Sequence, residues 1–124
     1  MKVVRVGTNA EFKKQSSGEH FCVLVGRHEK HGGTRHHTVA MVELDPGATS
    51  EPHSHREREE SYFVVNGVGS AQIDSETETI QTGDLIYAEP GQTHSFTNTG
   101  LVPLRYLVIT APSWTPGDSI QSPK

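Results

Sequence analysis

Short apolar runs, broken by glycine, proline and asparagine, recur along the whole sequence, and none has the length or period of an ordinary helix. Val3 to Val6 is the first strand candidate. Asn9 to Gly18 is polar and loop-like, with room for one helical turn over Ala10 to Gln15. Phe21 to Val25 is a strand rich in β-branched residues. Gly26 to Gly33 is a loop carrying His28 and His31, placed on the solvated surface.

Arg35 to Leu44 reads as a long strand with two apolar faces. Its even face is His36, Thr38, Ala40, Val42 and Leu44, and its odd face is Arg35, His37, Val39, Met41 and Glu43. His36 and His37 therefore point apart. Leu104 to Ala111 has the same character, with Tyr106 and Val108 on one face and Leu107 and Ile109 on the other. Strands apolar on both faces are buried on both. One face suits the protein interior and the other a second copy of the chain, so a homodimer is expected.

Between these strands the pattern predicts a series of hairpins. Asp45-Pro46-Gly47 is a turn. Tyr62 to Val65 is a strand, and Asn66-Gly67 is the strongest hairpin signal, returning the chain along Val68 to Ile73. Asp74 to Thr79 is an exposed polar tip leading into Ile80. Gly83-Asp84 turns into Leu85 to Ala88, and Pro90-Gly91 brings His94 to Thr97 back antiparallel. Pro112 to Lys124 is a tail, mobile or draped on the surface, with Trp114 as an anchor. The organisation is one domain, with residues 1–34 packed on a barrel of residues 35–111 and a tail over 112–124.

Composition narrows the class. A chain of 124 residues can bury a core without disulfides, and 12 glycines and 7 prolines fit many short strands. The net charge of −4 and the lack of a basic block argue against nucleic acid. Cys22 is the only cysteine and reads as a buried apolar filler. Met1 to Gly18 lacks a signal-peptide core and no run has membrane-span length, so a cytoplasmic protein off the membrane is expected.

The candidate chemistry lies in Gly47 to Asn98. His53 and His55 are two residues apart, which on a strand aims both imidazoles at one point. Glu60 has the opposite parity, so a bend or bulge within Arg56 to Glu59 has to reset it. Glu59 is the rival carboxylate. Alone, a His-x-His in a chain with 8 histidines is weak evidence. Gly47, His53, His55, Glu60 and Gly67, followed by Gly83, Gly91, His94 and Asn98, give the pair of motifs its weight.

These two stretches resemble the paired motifs of the cupin superfamily. The first runs Gly, five residues, His-x-His, four residues, Glu, six residues, Gly, and it matches throughout. In the second, Glu89 stands where the family has proline and Pro90 falls one place later, a change to a turn and not to a ligand. The resemblance implies an all-β fold, a small antiparallel double-stranded β-helix or jelly-roll-like barrel with almost no helix. It also implies one divalent metal per subunit, held by His53, His55, Glu60 and His94. Imidazole suits Zn, Cu, Fe and Ni, while carboxylate and water suit Mn. Tyr62 and Phe96, two residues from Glu60 and His94, are the expected pocket walls. The expected function is a metalloenzyme for a small organic substrate, working by oxygenation, decarboxylation or isomerisation. The alternatives are a non-catalytic module that binds or senses a small ligand, and a dimer whose metal only stabilises the fold. His20, His28, His31, His36 and His37 receive no assigned role.

Overall fold

The computed structural model describes residues 1–121. Ten strands form two five-stranded antiparallel sheets. They are β1 (Glu19–Val25), β2 (Thr38–Leu44), β3 (His53–His55), β4 (Glu59–Asn66), β5 (Val68–Ile73), β6 (Glu76–Gln81), β7 (Leu85–Ala88), β8 (His94–Asn98), β9 (Leu104–Ala111) and β10 (Ser119–Gln121). The first sheet has the order β1-β2-β9-β4-β7 and the second β10-β3-β8-β5-β6. Among the described residues the helical content is one 3-10 turn, Glu29–His31, and no helix is long and apolar enough to cross a membrane. The two sheets keep separate ladders, so the expected double-stranded β-helix is present without closing into a continuous barrel.

The core lies between the inner faces. Alternation along β2 places Val42 and Leu44 inward, and register sets them beside Tyr106 and Leu104 of β9. Val64 follows on β4, while Ala71, Ile80 and Phe96 come from the facing sheet. Asn98 is 1 % exposed and acts as a clamp. Its Nδ2 donates to the Leu44 and Val102 carbonyls at 2.9 and 2.8 Å, and its Oδ1 accepts from Gly100 N at 2.9 Å. A buried amide so fully bonded ties the end of β8 to the end of β2.

Several expected turns are instead crossings between sheets. β4 and β5 meet at Asn66-Gly67 but belong to different sheets, so this is not a hairpin. Gly67 has φ +94°, and a Cβ there would lie 2.9 Å from the Pro103 carbonyl oxygen. The dipeptide that favours a tight hairpin here serves a corner against Pro103 and Leu104. Pro90-Gly91 likewise carries the chain from β7 in one sheet to β8 in the other. The true hairpin is β5–β6, turning at Asp74-Ser75, with Asp74 at φ +51°. The parity change before Glu60 has the same origin: the chain bends at Arg56 and Glu57, as expected, and the bend carries it from β3 in one sheet to β4 in the other without a bulge.

Other differences are local. Val3 to Val6 forms no strand, only a bridge from Val6 to Ala10, and Ala10 to Gln15 forms no helical turn. β2 begins at Thr38, leaving His36 and His37 exposed outside it. In the C-terminal segment, residues 119–121 pair with β3 as an edge strand, and residues 122–124 lie outside the described residues.

Gly67 offers a direct test of the corner. Gly67→Ala combines left-handed strain with the contact to Pro103 and should cost about 3 kcal/mol. Gly83→Ala, at φ +96° with no atom within 4 Å of the new Cβ, should cost about 1 kcal/mol. Denaturant midpoints compare the two, and equal losses would mean that the Pro103 contact contributes nothing.

Candidate metal centre

The three histidines of the motifs come from one sheet and the glutamate from the other. His53 and His55 share the inward face of the short strand β3, and His94 pairs directly with His53 across the ladder from β8. Glu60 enters from β4. His55 and His94 are each 2 % exposed, Glu60 is buried, and His53 is half-buried. One donor atom from each of the four lies within 4.8 Å of the others. Ligands held about 2.1 Å from a common ion lie roughly 3 Å apart at right angles and 4.2 Å apart when opposed. The cluster therefore fits one ion with small adjustments.

Two of the imidazoles are oriented by the same local device. His53 Nδ1 donates to the Glu51 carbonyl at 2.7 Å, and His94 Nδ1 donates to the Gln92 carbonyl at 3.1 Å. A carbonyl only accepts, so each Nδ1 carries the proton and each Nε2 offers a lone pair. His94 Nε2 is buried and has no hydrogen-bond partner among the described residues, although Glu60 Oε1 lies 3.2 Å away out of alignment. Such an orphaned lone pair suits a cation. Burial lowers the pKa of His53, with further lowering from His94 and His55, which favours the neutral ligating form.

His55 is held differently. Its Nε2 is 2.8 Å from Glu60 Oε1, and Arg58 Nη2 lies 2.9 Å from its Nδ1. A guanidinium only donates, so Nδ1 accepts and the ring proton sits on Nε2, facing Glu60. Ligation through that nitrogen requires the proton to leave. Asp118 Oδ2, 3.8 Å from Nδ1, is the nearest carboxylate on the other side.

Glu60 collects these contacts. Burial raises its pKa, but hydrogen bonding from His55 and from the Tyr62 hydroxyl outweighs burial and holds it well below the usual carboxylate range. Tyr62 donates its hydroxyl to Glu60 Oε1. Burial, and then the Glu60 charge, push the Tyr62 pKa well up, so it stays protonated. The rival Glu59 is exposed and accepts from Tyr87 at 2.7 Å, on the outer face.

His53, Glu60 and His94 of the cluster form the floor of a cavity of about 720 Å³. Tyr62 and Phe96 line it, with ring centroids 4.6 Å apart, as do Val23, Ala40, Val42 and Val108 of the first sheet. The loop carrying His28 and His31 also lines the cavity, and His28 is exposed and His31 partly so, as expected of a solvated loop. His20 is buried elsewhere. It accepts from Gln15 N at 2.9 Å and lies 3.1 Å from Asp45, a structural role.

Sequence reasoning passed over Arg58, which is 3 % exposed and lines the cavity. Its Nε lies 3.4 Å from Asp118 Oδ2, and its guanidinium sits 5.8 Å from the centre of the Trp114 ring. The signal was faint: an arginine in the run Arg56 to Glu59 reads as solvated, and its partners lie some sixty residues away. Thr110, paired in register with Glu60, was also passed over.

A family model described as Cupin domain matches residues 40–110. An uncharacterised protein of Methanocaldococcus jannaschii is 33 % identical over 82 residues, 66 % of each chain. An oxalate-binding protein of Thermotoga maritima is 28 % identical over 86 residues, 69 % of each chain. This chain thus spans about two thirds of the length of these curated relatives. Among solved structures, a sugar phosphate isomerase from a cupin superfamily, from Silicibacter pomeroyi, is 27 % identical with a TM-score of 0.71. That match covers 86 % of this chain and 67 % of that one.

The ligand assignment is tested by elemental analysis after dialysis against limiting metal. His55→Ala and Glu60→Gln should each lose at least about tenfold in metal affinity, whereas Glu59→Gln should match the unmodified protein. Full occupancy in His55→Ala would remove the assignment.

Proposed function

The chain belongs to the cupin domain family, and from that premise we propose that it is a metalloenzyme acting on a small organic molecule. One divalent ion per subunit is held by His53, His55, Glu60 and His94. The observation that carries this reading is the paired orientation of His53 and His94. Each gives its Nδ1 proton to a backbone carbonyl and turns Nε2 toward a buried carboxylate, on the floor of a ligand-sized cavity. Four protein donors leave coordination positions for a ligand on a six-coordinate ion.

A bound ion supplies Lewis acidity, and a redox-active one also supplies electrons. The chain does the rest. Tyr62 fixes the Glu60 carboxylate through its hydroxyl and keeps that proton at neutral pH. Arg58 sets a fixed positive charge beside His55 and suits an anionic group on the ligand. The walls are largely apolar, so a ligand that displaces water from the floor would strengthen each of these interactions. Oxygenation, decarboxylation and isomerisation are all compatible with such a site, and the reaction is found by screening metal-loaded protein against small carboxylic and hydroxy acids. The second reading, binding without turnover, takes support from the relative that binds oxalate. Saturable binding with no product across that screen would select it.

Protons compete with the ion for the histidines. The ordinary histidine pKa is about 6.5, and both burial of His53 and a bound cation depress it. A depressed pKa gives stabilisation that is present above the ordinary value and lost as pH falls through the lowered one. Glu60, also depressed, acts in the same direction. Added metal should therefore raise the melting temperature strongly near pH 7.5 and much less near pH 5, as thermal unfolding with and without metal will show. An equal shift at both would place the ion on carboxylates elsewhere.

The proposal includes a homodimer. The outer face of β9, β4 and β7 carries Ile109, Phe63, Leu85 and Tyr87, from 39 to 60 % exposed, with Phe63 in register between Leu107 and Leu85. An apolar face of this kind marks an interface. Sedimentation at ~20 μM should give a dimer and Phe63→Asp a monomer. A monomer for the unmodified protein would exclude this interface.

A further inference from the structure

Three observations narrow the ligand beyond a small organic molecule, and the inference rests on the metal-site reading above. The first is the charge at the cavity floor. Arg58 and a divalent ion bring three positive charges into a buried space, and Glu60 and Asp118 bring two negative ones. The histidines ligate as neutral rings, and the Tyr62 hydroxyl is a hydrogen-bond donor to Glu60. One positive charge is left over where burial makes an uncompensated charge costly. A single carboxylate on the ligand cancels it, reaching the ion and the guanidinium together.

The second observation is the wall above that floor. Val23, Ala40 and Val108 lie side by side in register on β1, β2 and β9, with Val42, Phe96 and Tyr106 nearby. A cavity of about 720 Å³ lies in the range that encloses a drug-sized molecule. A bare dicarboxylate such as oxalate would fill a small part of it and leave the apolar surface in water. Glu19 and Glu51 outnumber Arg27 in the lining, so these groups leave one negative charge that disfavours a second distant carboxylate.

The third is Thr110. Its hydroxyl is buried, lines the same cavity beside Glu60, and has no hydrogen-bond partner among the described residues. A buried hydroxyl left unpaired is costly, and a polar atom on the ligand head would satisfy it.

We infer that the cavity takes a monoanionic amphipathic ligand, with a carboxylate head at Arg58, Thr110 and the ion, and an apolar body along Val23, Ala40 and Val108. The aliphatic body explains the long apolar wall, and the single carboxylate explains the charge at the floor.

The test is calorimetric titration with acetate, butyrate, hexanoate, octanoate and oxalate, on metal-free protein and on protein loaded with Mn²⁺ or Zn²⁺. Affinity should rise about three- to fourfold per added methylene in both forms, because the wall does not depend on the ion. Loading should tighten the whole series, and octanoate should bind more tightly than oxalate. Ala40→Leu should flatten the rise beyond the shorter acids without changing metal content. Thr110→Val should weaken every acid by about two- to tenfold while leaving the slope intact. Affinity independent of chain length in both forms, or oxalate binding more tightly than octanoate, would overturn the inference. Identical titrations with and without metal would count against the metal site, and the slope would still decide the ligand class.

Discussion

The buried Glu60 carboxylate is the constraint around which the interior is arranged. A charge this deep is tolerated only with close partners. It has them in His55 and Tyr62, and His55 comes from the opposite sheet. The contacts that make the charge tolerable are therefore also the contacts that hold the two sheets' inner faces together at this end. At the other end the same job falls to Asn98, whose side chain bonds both the Leu44 carbonyl and its own turn. Between the two lies the apolar packing of Val42, Leu44, Val64 and Phe96. A polar clamp at each end and a hydrophobic middle leave room for a cavity without loss of a defined core.

Much of the site was legible in the sequence because strand geometry and motif spacing act over short distances. His53 and His55 had to share a face, and Glu60 had to reach that face despite its parity. The strands β7 and β9 were read at their observed bounds, since Gly83-Asp84 and the apolar run from Leu104 punctuate them clearly. The sheet crossings were not legible. Asn66-Gly67 and Pro90-Gly91 carry the local chemistry of reversal, and whether a reversal stays in one sheet depends on distant contacts such as Gly67 against Pro103. Arg58 escaped notice for a related reason. Its burial depends on Asp118 and Trp114, which no local pattern couples to it.

The outer surface divides along the same first sheet. The N-terminal segment covers the β1–β2 side, where Ala10 and Cys22 are buried, Lys13 bridges to Phe21 and Lys14 lies 3.7 Å from Glu43. The β9–β4–β7 side has no such cover within the described chain. The apolar pattern on both faces of β2 and β9 thus has two sources, self-covering on one side and an open face on the other. A sequence pattern alone cannot divide them, because both place the same residue types at the same alternate positions.

Strand β10 pairs residue for residue with β3, setting Ser119 opposite His55 and Gln121 opposite His53, and Asp118 just before it braces Arg58. Residues 118–121 are therefore part of the frame that carries two of the histidines. A change in residues 118–121 would therefore reach the metal ligands without touching them, and loss of Asp118 would release Arg58 against His55.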